Sequence, residues 1–230
     1  PETFRKQIQA LSDAGCNTIS LEQLRDYVYN GTPLPEKPIV LTFDDGYLSN
    51  YTLAYPILQK YGMKATIFSI GVSFGKDHYK DTDYAMTPHF GAAEAAEMAG
   101  SGLISIQSHT YDMHQWPPYE DGSAAVRENI LQLPGESEEA YVEALTADFT
   151  RSRAQLEAAT GRPVDVLAYP AGQYSTLAQV TLQNLGVHVT LSTNPGINTV
   201  VKGLPQTLTA MLRFGVTEGL SPEALLEMIQ

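Results

Sequence analysis

Apolar positions along the chain alternate between helical and strand spacing. Phe4, Ile8 and Leu11 share one helical stripe, and Gly15 is a stop signal. Residues 17–20 read as a short strand. Ser20 and Gln23 form a capping-box pair that opens a helix over 21–29. Residues 30–35, Asn-Gly-Thr-Pro-Leu-Pro, read as a loop. The β-branched and aromatic run 39–43 predicts a buried strand. Residues 49–61 are helical, with Pro56 either a kink or a first-turn residue of the second half. Further strands are expected over 65–70, 103–107, 164–169 and 187–191, and helices over 91–99, 137–160 and 176–185. Gly161 and Gly186 close the last two helices. A strand is also expected over 212–216, and Ser221 with Pro222 opens a final helix through Ile229. Residues 72–88 are polar and irregular, a long surface loop of the kind that often borders a site.

This alternation of strand and helix predicts an α/β fold with a mainly parallel sheet, open or closed into a barrel. The length, 230 residues without repeat or composition break, suits one domain over 1–230. Hydrophobic content of 43% and charged content of 17% argue for a packed core and against disorder. No apolar run approaches the roughly 18 residues of a membrane span. The net charge of −12, with no basic patch, disfavours nucleic acid as a partner. Cys16 is the only cysteine, so there is no disulfide framework and no thiolate metal site; it reads as a small packed residue. The chain begins at Pro1 without an initiator Met or a signal peptide, as a trimmed or mature form would.

Two stretches carry candidate chemistry. The strand 39–43 ends in Asp44 and Asp45, and Gly46 turns the chain. Open sheets and α/β barrels place their chemistry at such strand ends. Adjacent carboxylates there are costly unless neutralised, and a metal bound by one with the other free as a base would do so. An exposed Asp-Asp-Gly turn uses the same residues. The second stretch, Gln107-Ser108-His109-Thr110-Tyr111-Asp112-Met113-His114, also follows an apolar strand. Two histidines of one post-strand loop, plus Asp45 from another, make a 2-His-1-carboxylate set suited to a divalent transition metal.

These motifs resemble a known family. Thr42-Phe43-Asp44-Asp45-Gly46-Tyr47 matches the first motif of the NodB-type polysaccharide deacetylases, carbohydrate esterase family four. Ser108-His109-Thr110 with His114 resembles the second, with four residues between the histidines instead of the usual three. That longer form resembles the branch that de-N-acetylates poly-N-acetylglucosamine in biofilms. Tyr169-Pro170-Ala171-Gly172-Gln173-Tyr174 resembles the third motif. The resemblance implies a distorted (β/α) barrel, expected to lack its first strand in this chain. It also implies a divalent metal, Zn2+ first and Co2+ or Ni2+ as substitutes. The implied ligands are Asp45, His109 and His114, the base is Asp44, and the oxyanion donor is the Ala171 backbone N–H. The implied substrate is an N-acetylglucosamine-containing polysaccharide or oligosaccharide at the surface or outside of a bacterium.

Three departures from the pattern matter. Ala168 stands where the third motif has a base-bracing arginine, and Arg213 is the candidate replacement. The late tryptophan motif is absent; the sole tryptophan, Trp116, follows His114 and could form a sugar-stacking wall or pack over its loop. The late acid histidine is also absent. In the resembling branch that acid lies on a strand upstream of the first helix, so it is expected upstream of Pro1, with His89 the substitute inside the chain. His78 reads as a surface residue and His188 as part of strand 187–191. Tyr47, Tyr111, Tyr169 and Tyr174 are candidate substrate contacts, each also able to pack at the barrel mouth. Asp112 could orient a ligand histidine or cap its own turn. The alternatives to an N-deacetylase are a carbohydrate-binding pseudoenzyme on the same barrel and a hydrolase of acetyl esters.

Overall fold

The computed structural model describes residues 1–122 and 124–229. The first apolar stripe forms α1 (Glu2–Asp13), with Ile8 and Leu11 buried. After it, β1 (Asn17–Thr18) leads to α2 (Leu21–Asn30). The capping box forms as expected: Ser20 Oγ accepts the Gln23 N–H, and Gln23 Oε1 accepts the Ser20 N–H. Gly31, at φ 70°, ends the helix.

The main sheet has five parallel strands in chain order: β3 (Thr42–Phe43), β4 (Ala65–Ser69), β5 (Ile104–Ser108), β6 (Val166–Ala168) and β7 (Val189–Leu191). Helices α3 (Tyr55–Tyr61), α4 (Ala92–Gly100), α5 (Glu138–Thr160) and α6 (Thr176–Asn184) make the crossovers. This sequential order is that of a (β/α) barrel rather than a doubly wound sheet. All five residues of β4 are buried, as a strand covered on both faces requires. The last helix, α7 (Pro222–Met228), packs on α1.

The sheet curls without closing, because β3 and β7 do not pair with each other. Between them lies a largely apolar cavity of about 1010 Å³, lined by Phe4, Leu41, Phe43, Leu191 and Met211 among others. This open seam changes two expectations. The run 39–43 is not one buried strand. β2 (Pro38–Ile39) pairs with β1 in a separate two-stranded sheet, Val40 and Leu41 cross over along the cavity wall, and only Thr42 and Phe43 join the main sheet. These residues are half-exposed because the cavity opens beside them. Residues 212–216 form no strand. Met211 makes a single parallel bridge to Leu191. The Leu212 N–H then donates to Asn198 Oδ1 and the Arg213 N–H to the Asn194 carbonyl, so a loop takes the donors a ladder would need.

The helix expected over 49–61 has two parts. A π-helical turn, Asn50–Ala54, precedes α3, whose first turn holds Pro56. Proline lacks an N–H and its ring clashes with the carbonyl four residues back. The wider turn, in which the Tyr55 N–H reaches the Asn50 carbonyl, relieves that clash. Strand β5 runs one residue later than expected, and β1, β4, β6 and β7 are shorter than expected at one or both ends. In α5, Ser137 Oγ accepts the Ala140 N–H and caps the start, and Gly161 at φ 65° ends the helix where expected. Its buried face, including Tyr141, Leu145, Phe149 and Ser152, is the wall behind the β5 loop.

Candidate metal centre

β3 and β5 end near one another on the C-terminal edge of the sheet, with β4 between them. After Phe43 the chain turns through two left-handed residues, Asp45 at φ 70° and Gly46 at φ 85°. Aspartate tolerates that region better than most side chains. A Cβ on Gly46 would come 2.7 Å from Ser69 Oγ, so the turn presses on the end of β4. After β5, Thr110 is also left-handed, at φ 69°. Ser108 Oγ accepts the Thr110 N–H and lies 2.8 Å from Ser152 Oγ of α5, while Thr110 Oγ1 accepts the Met113 N–H. Such unusual backbone persists where the surroundings over-determine it, often at functional sites.

The two turns bring three side chains together. Asp45 Oδ1 lies 3.5 Å from His109 Nε2 and 3.9 Å from His114 Nε2. One donor atom from each of the three lies within 4.8 Å of the others. The imidazoles stand edge to face, with centroids 5.2 Å apart at 87°. Each histidine is held from behind: His109 Nδ1 lies 2.8 Å from the Ala168 carbonyl and His114 Nδ1 lies 3.1 Å from the Glu128 carbonyl. Only a protonated Nδ1 can donate to a carbonyl, so in the neutral ring Nε2 carries the lone pair. Burial favours that neutral form by lowering the His109 pKa. Two lone pairs and a carboxylate oxygen thus converge on one point, an arrangement that repels without a cation. Ligands about 2.0–2.2 Å from a tetrahedral zinc sit about 3.3–3.6 Å apart; the Asp45–His109 separation of 3.5 Å matches this and the Asp45–His114 separation of 3.9 Å is slightly wider. The residues fit a divalent ion, and the face beside His114 is open to solvent.

Asp44 lies outside this trio and meets Arg213. The guanidinium forks onto it, Nη1 to Oδ1 at 2.8 Å and Nη2 to Oδ2 at 2.9 Å. Arg213 Nε donates to the Ser192 carbonyl at 2.8 Å, and Nη1 also reaches Thr42 Oγ1 at 3.3 Å. Burial, the largest influence on Asp44, pushes its pKa up. The Arg213 hydrogen bonds and the surrounding positive charge outweigh it, and the carboxyl ends below its usual value. The structure therefore joins Arg213 to Asp44, although Ala168 occupies the position of the third-motif arginine. Ala168 instead contributes the carbonyl that holds His109.

Ala171 lies in a 3-10 turn (Pro170–Gly172) at φ 53°, exposed, and none of the described residues accepts its N–H. The turn is tight: a Cβ on Gly172 would come 2.1 Å from Thr193 Oγ1.

The other candidates fare differently. Tyr47 stands beside the centre, and burial followed by the Asp45 charge pushes its phenol up to about 12. Trp116 is exposed two residues beyond His114, and Tyr174 is partly exposed. Tyr169 is fully buried and stacks under Tyr174 at 5.0 Å, so it offers no face to a sugar. Tyr111 is wedged between Gly71 and the Arg151 guanidinium, 3.9 Å from its ring centroid, so packing claims it. Asp112 pairs with Lys80 at 3.1 Å rather than with a ligand histidine. His89 is buried against Tyr47, and burial lowers its pKa, which ill suits an acid. His188 lies outside β7, exposed and bonded to Asp165; His78 is exposed beside Asp77.

One supporting residue escaped sequence reasoning. Asp148 of α5 accepts the Tyr111 N–H on Oδ1 at 2.8 Å and the Asp112 N–H on Oδ2 at 2.7 Å. It clamps the loop between the two histidines. Burial pushes its pKa up to about 6. The signal was available: an acid beside Phe149, on the apolar face of a long helix.

Residues 31–190 match the family model described as polysaccharide deacetylase. The chain belongs to the polysaccharide deacetylase family. Arg213 lies outside the matched stretch. YxkH of Bacillus subtilis, provisionally named a polysaccharide deacetylase, is 29% identical over 221 residues, covering 96% of this chain. The poly-beta-1,6-N-acetyl-D-glucosamine N-deacetylase of Escherichia coli K12 is 37% identical over 121 residues, 48% of this chain. The chain spans 66% of YxkH and 17% of the E. coli protein. Among solved structures, IcaB from Ammonifex degensii aligns with a TM-score of 0.77 at 26% identity, over 100% of this chain and 88% of that one. A de-N-acetylase from Aggregatibacter actinomycetemcomitans shares the fold, with a TM-score of 0.80 at 24% identity over 97% and 87% of the two chains.

Proposed function

We propose that this domain hydrolyses N-acetyl groups on an N-acetylglucosamine-containing polysaccharide outside a bacterial cell. The observation that carries the reading is the convergence of Asp45, His109 and His114, both rings locked through Nδ1, with the Arg213-braced Asp44 beside them. The trio would hold a divalent ion, zinc by its imidazole and carboxylate donors, with cobalt or nickel as substitutes. When bound, such an ion supplies Lewis-acid polarisation of the amide carbonyl and acidifies water. Asp44, kept ionised by Arg213, accepts the proton of the attacking water. The Ala171 N–H donates to the oxygen on which negative charge develops. With His89 buried against Tyr47, Asp44, protonated in that step, returns the proton to the leaving amine in place of the histidine that the resemblance implied. Tyr47 and Trp116 border the approach. The relatives named for poly-N-acetylglucosamine support the choice of glycan, and a surface polymer places the reaction outside the cell. No helix among the described residues is long and apolar enough to cross a membrane.

The test is acetate release from N-acetylglucosamine oligomers by zinc-loaded protein, beside its Asp44→Asn variant. Release by the wild type and loss by at least about 10²-fold in the variant are expected. Glycan binding without acetate release would make the domain a binding module, and release only from acetyl esters would change the substrate bond.

A further inference from the structure

An aromatic platform lies where residues 79–84 meet residues 116–119. Trp116 and Tyr84 are 59% and 51% exposed. Tyr119 stands between them, parallel to Tyr84 at 4.9 Å and 11°, and tilted 33° from Trp116 at 6.2 Å. Tyr79 is buried behind it at 5.5 Å. Large rings left in water forgo about 25 cal/mol for every Å² they could bury, so a rigid exposed group of them points to a partner.

This group is rigidly held. The Tyr79 hydroxyl donates to Glu120 Oε1 at 2.5 Å and accepts the Trp116 N–H at 3.1 Å. Lys80 bridges Asp112 and Glu120. Gln115 and Arg127 exchange hydrogen bonds, the Gln115 N–H to the Arg127 carbonyl at 2.9 Å and the Arg127 N–H to Gln115 Oε1 at 2.7 Å. The platform is thus fixed to the loop that carries His114. Rings ordered in advance give contact area at little entropic cost. The two segments that carry the rings, residues 76–84 and 112–121, are mainly acidic: Asp77, Asp81, Asp83, Asp112, Glu120 and Asp121 against Lys76 and Lys80.

Resting on the deacetylase reading, we propose that Trp116, Tyr119 and Tyr84 form an extended subsite for further sugar rings of the same glycan chain. The C–H faces of pyranose rings match flat aromatic faces, and the hydroxyls stay in water. The acidic surroundings select neutral or amine-bearing hexosamines and disfavour uronic acid polymers. The occupant is therefore the substrate beyond the sugar being deacetylated, continuous with the metal centre through the two residues from His114 to Trp116.

Trp116 is the only tryptophan, so its fluorescence reports on the platform directly. The experiment titrates metal-free protein with an N-acetylglucosamine pentamer, the monosaccharide and polygalacturonate. It repeats the titration with Tyr84→Ala and Tyr119→Ala, both checked for folding by circular dichroism. A saturable emission change with the pentamer alone is expected, weakened about two- to tenfold in each variant. With zinc-loaded protein, the ratio of kcat/KM for pentamer to that for dimer should fall by a similar factor. If acetate is released but emission and this ratio ignore Tyr84 and Tyr119, the platform is refuted while the hydrolase stands. If the pentamer shifts emission in a Tyr84-dependent way but no acetate appears, the platform stands and the hydrolase falls.

Discussion

Replacing Arg213 with Met tests how the base is held. The substitution keeps the length of the side chain and removes the fork onto Asp44 together with the Nε bond to the Ser192 carbonyl. Hydrogen bonds to charged groups contribute about 1.5–3 kcal/mol. Breaking a fully buried pair costs about 3–5 kcal/mol. The Asp44 side chain keeps 32% exposure, so solvent screens part of that loss, and about 2 kcal/mol of stability at neutral pH is expected. With the fork gone, burial is less opposed and the Asp44 pKa rises. A depressed carboxylate pKa contributes stability above its unfolded value, and this is lost as pH falls through the folded value. In Arg213→Met that loss moves to higher pH, and the acid limb of the kcat/KM profile moves the same way. A positioned base contributes about 10²–10⁴ in rate, and loss of its orientation should remove about 10- to 100-fold. Arg213→Lys keeps the charge without the fork, so it should restore much of the acid limb but less of kcat. Urea titrations and pH–rate profiles on the three proteins decide the matter. An unmoved acid limb with wild-type kcat in Arg213→Met would refute the brace.

Two further substitutions probe the loops around the centre. Asp148→Asn leaves one acceptor oxygen for two backbone N–H groups, and zinc affinity by competition with a chelator should fall about 10-fold or more. The Asp148 pKa is raised to about 6, so its contribution to stability is complete below its unfolded value of 3.8 and is lost as pH rises through about 6. Chemical denaturation of wild type against Asp148→Asn should show this pH dependence, about 3 kcal/mol in all, disappearing in the variant. Gly172→Ala puts a Cβ at φ 69° into Thr193, so stability should fall by about 1–3 kcal/mol and activity should fall with it as the Ala171 turn shifts. Wild-type melting and wild-type kcat in that variant would remove the turn from the account.

Much of the candidate site was legible because the residues proposed for its chemistry sit in short contiguous motifs. Asp44 and Asp45 end a strand, His109 and His114 follow another, and strand ends in this fold share one edge. The Ser20 and Ser221 caps and the Gly161 stop were local signals that tertiary packing did not override. What sequence missed depends on long-range contact. The split of 39–43 follows from the open seam between β3 and β7, which no local pattern encodes. The carbonyls of Ala168 and Glu128 that orient the histidines are backbone groups, silent in side-chain patterns. Tyr169 and Tyr174 share a motif, yet one is buried and the other partly exposed. Tyr84 and Tyr119 lie 35 residues apart, and only folding stacks them.

The most direct test of the central claim is metal binding itself. Dialysed protein titrated with zinc in a calorimeter, and with cobalt in a spectrophotometer, should bind one ion per chain. The cobalt complex should show the visible bands of a low-coordinate nitrogen and oxygen site, and binding should be lost in His109→Ala. Absence of stoichiometric binding, or equal binding by His109→Ala, would contradict the account.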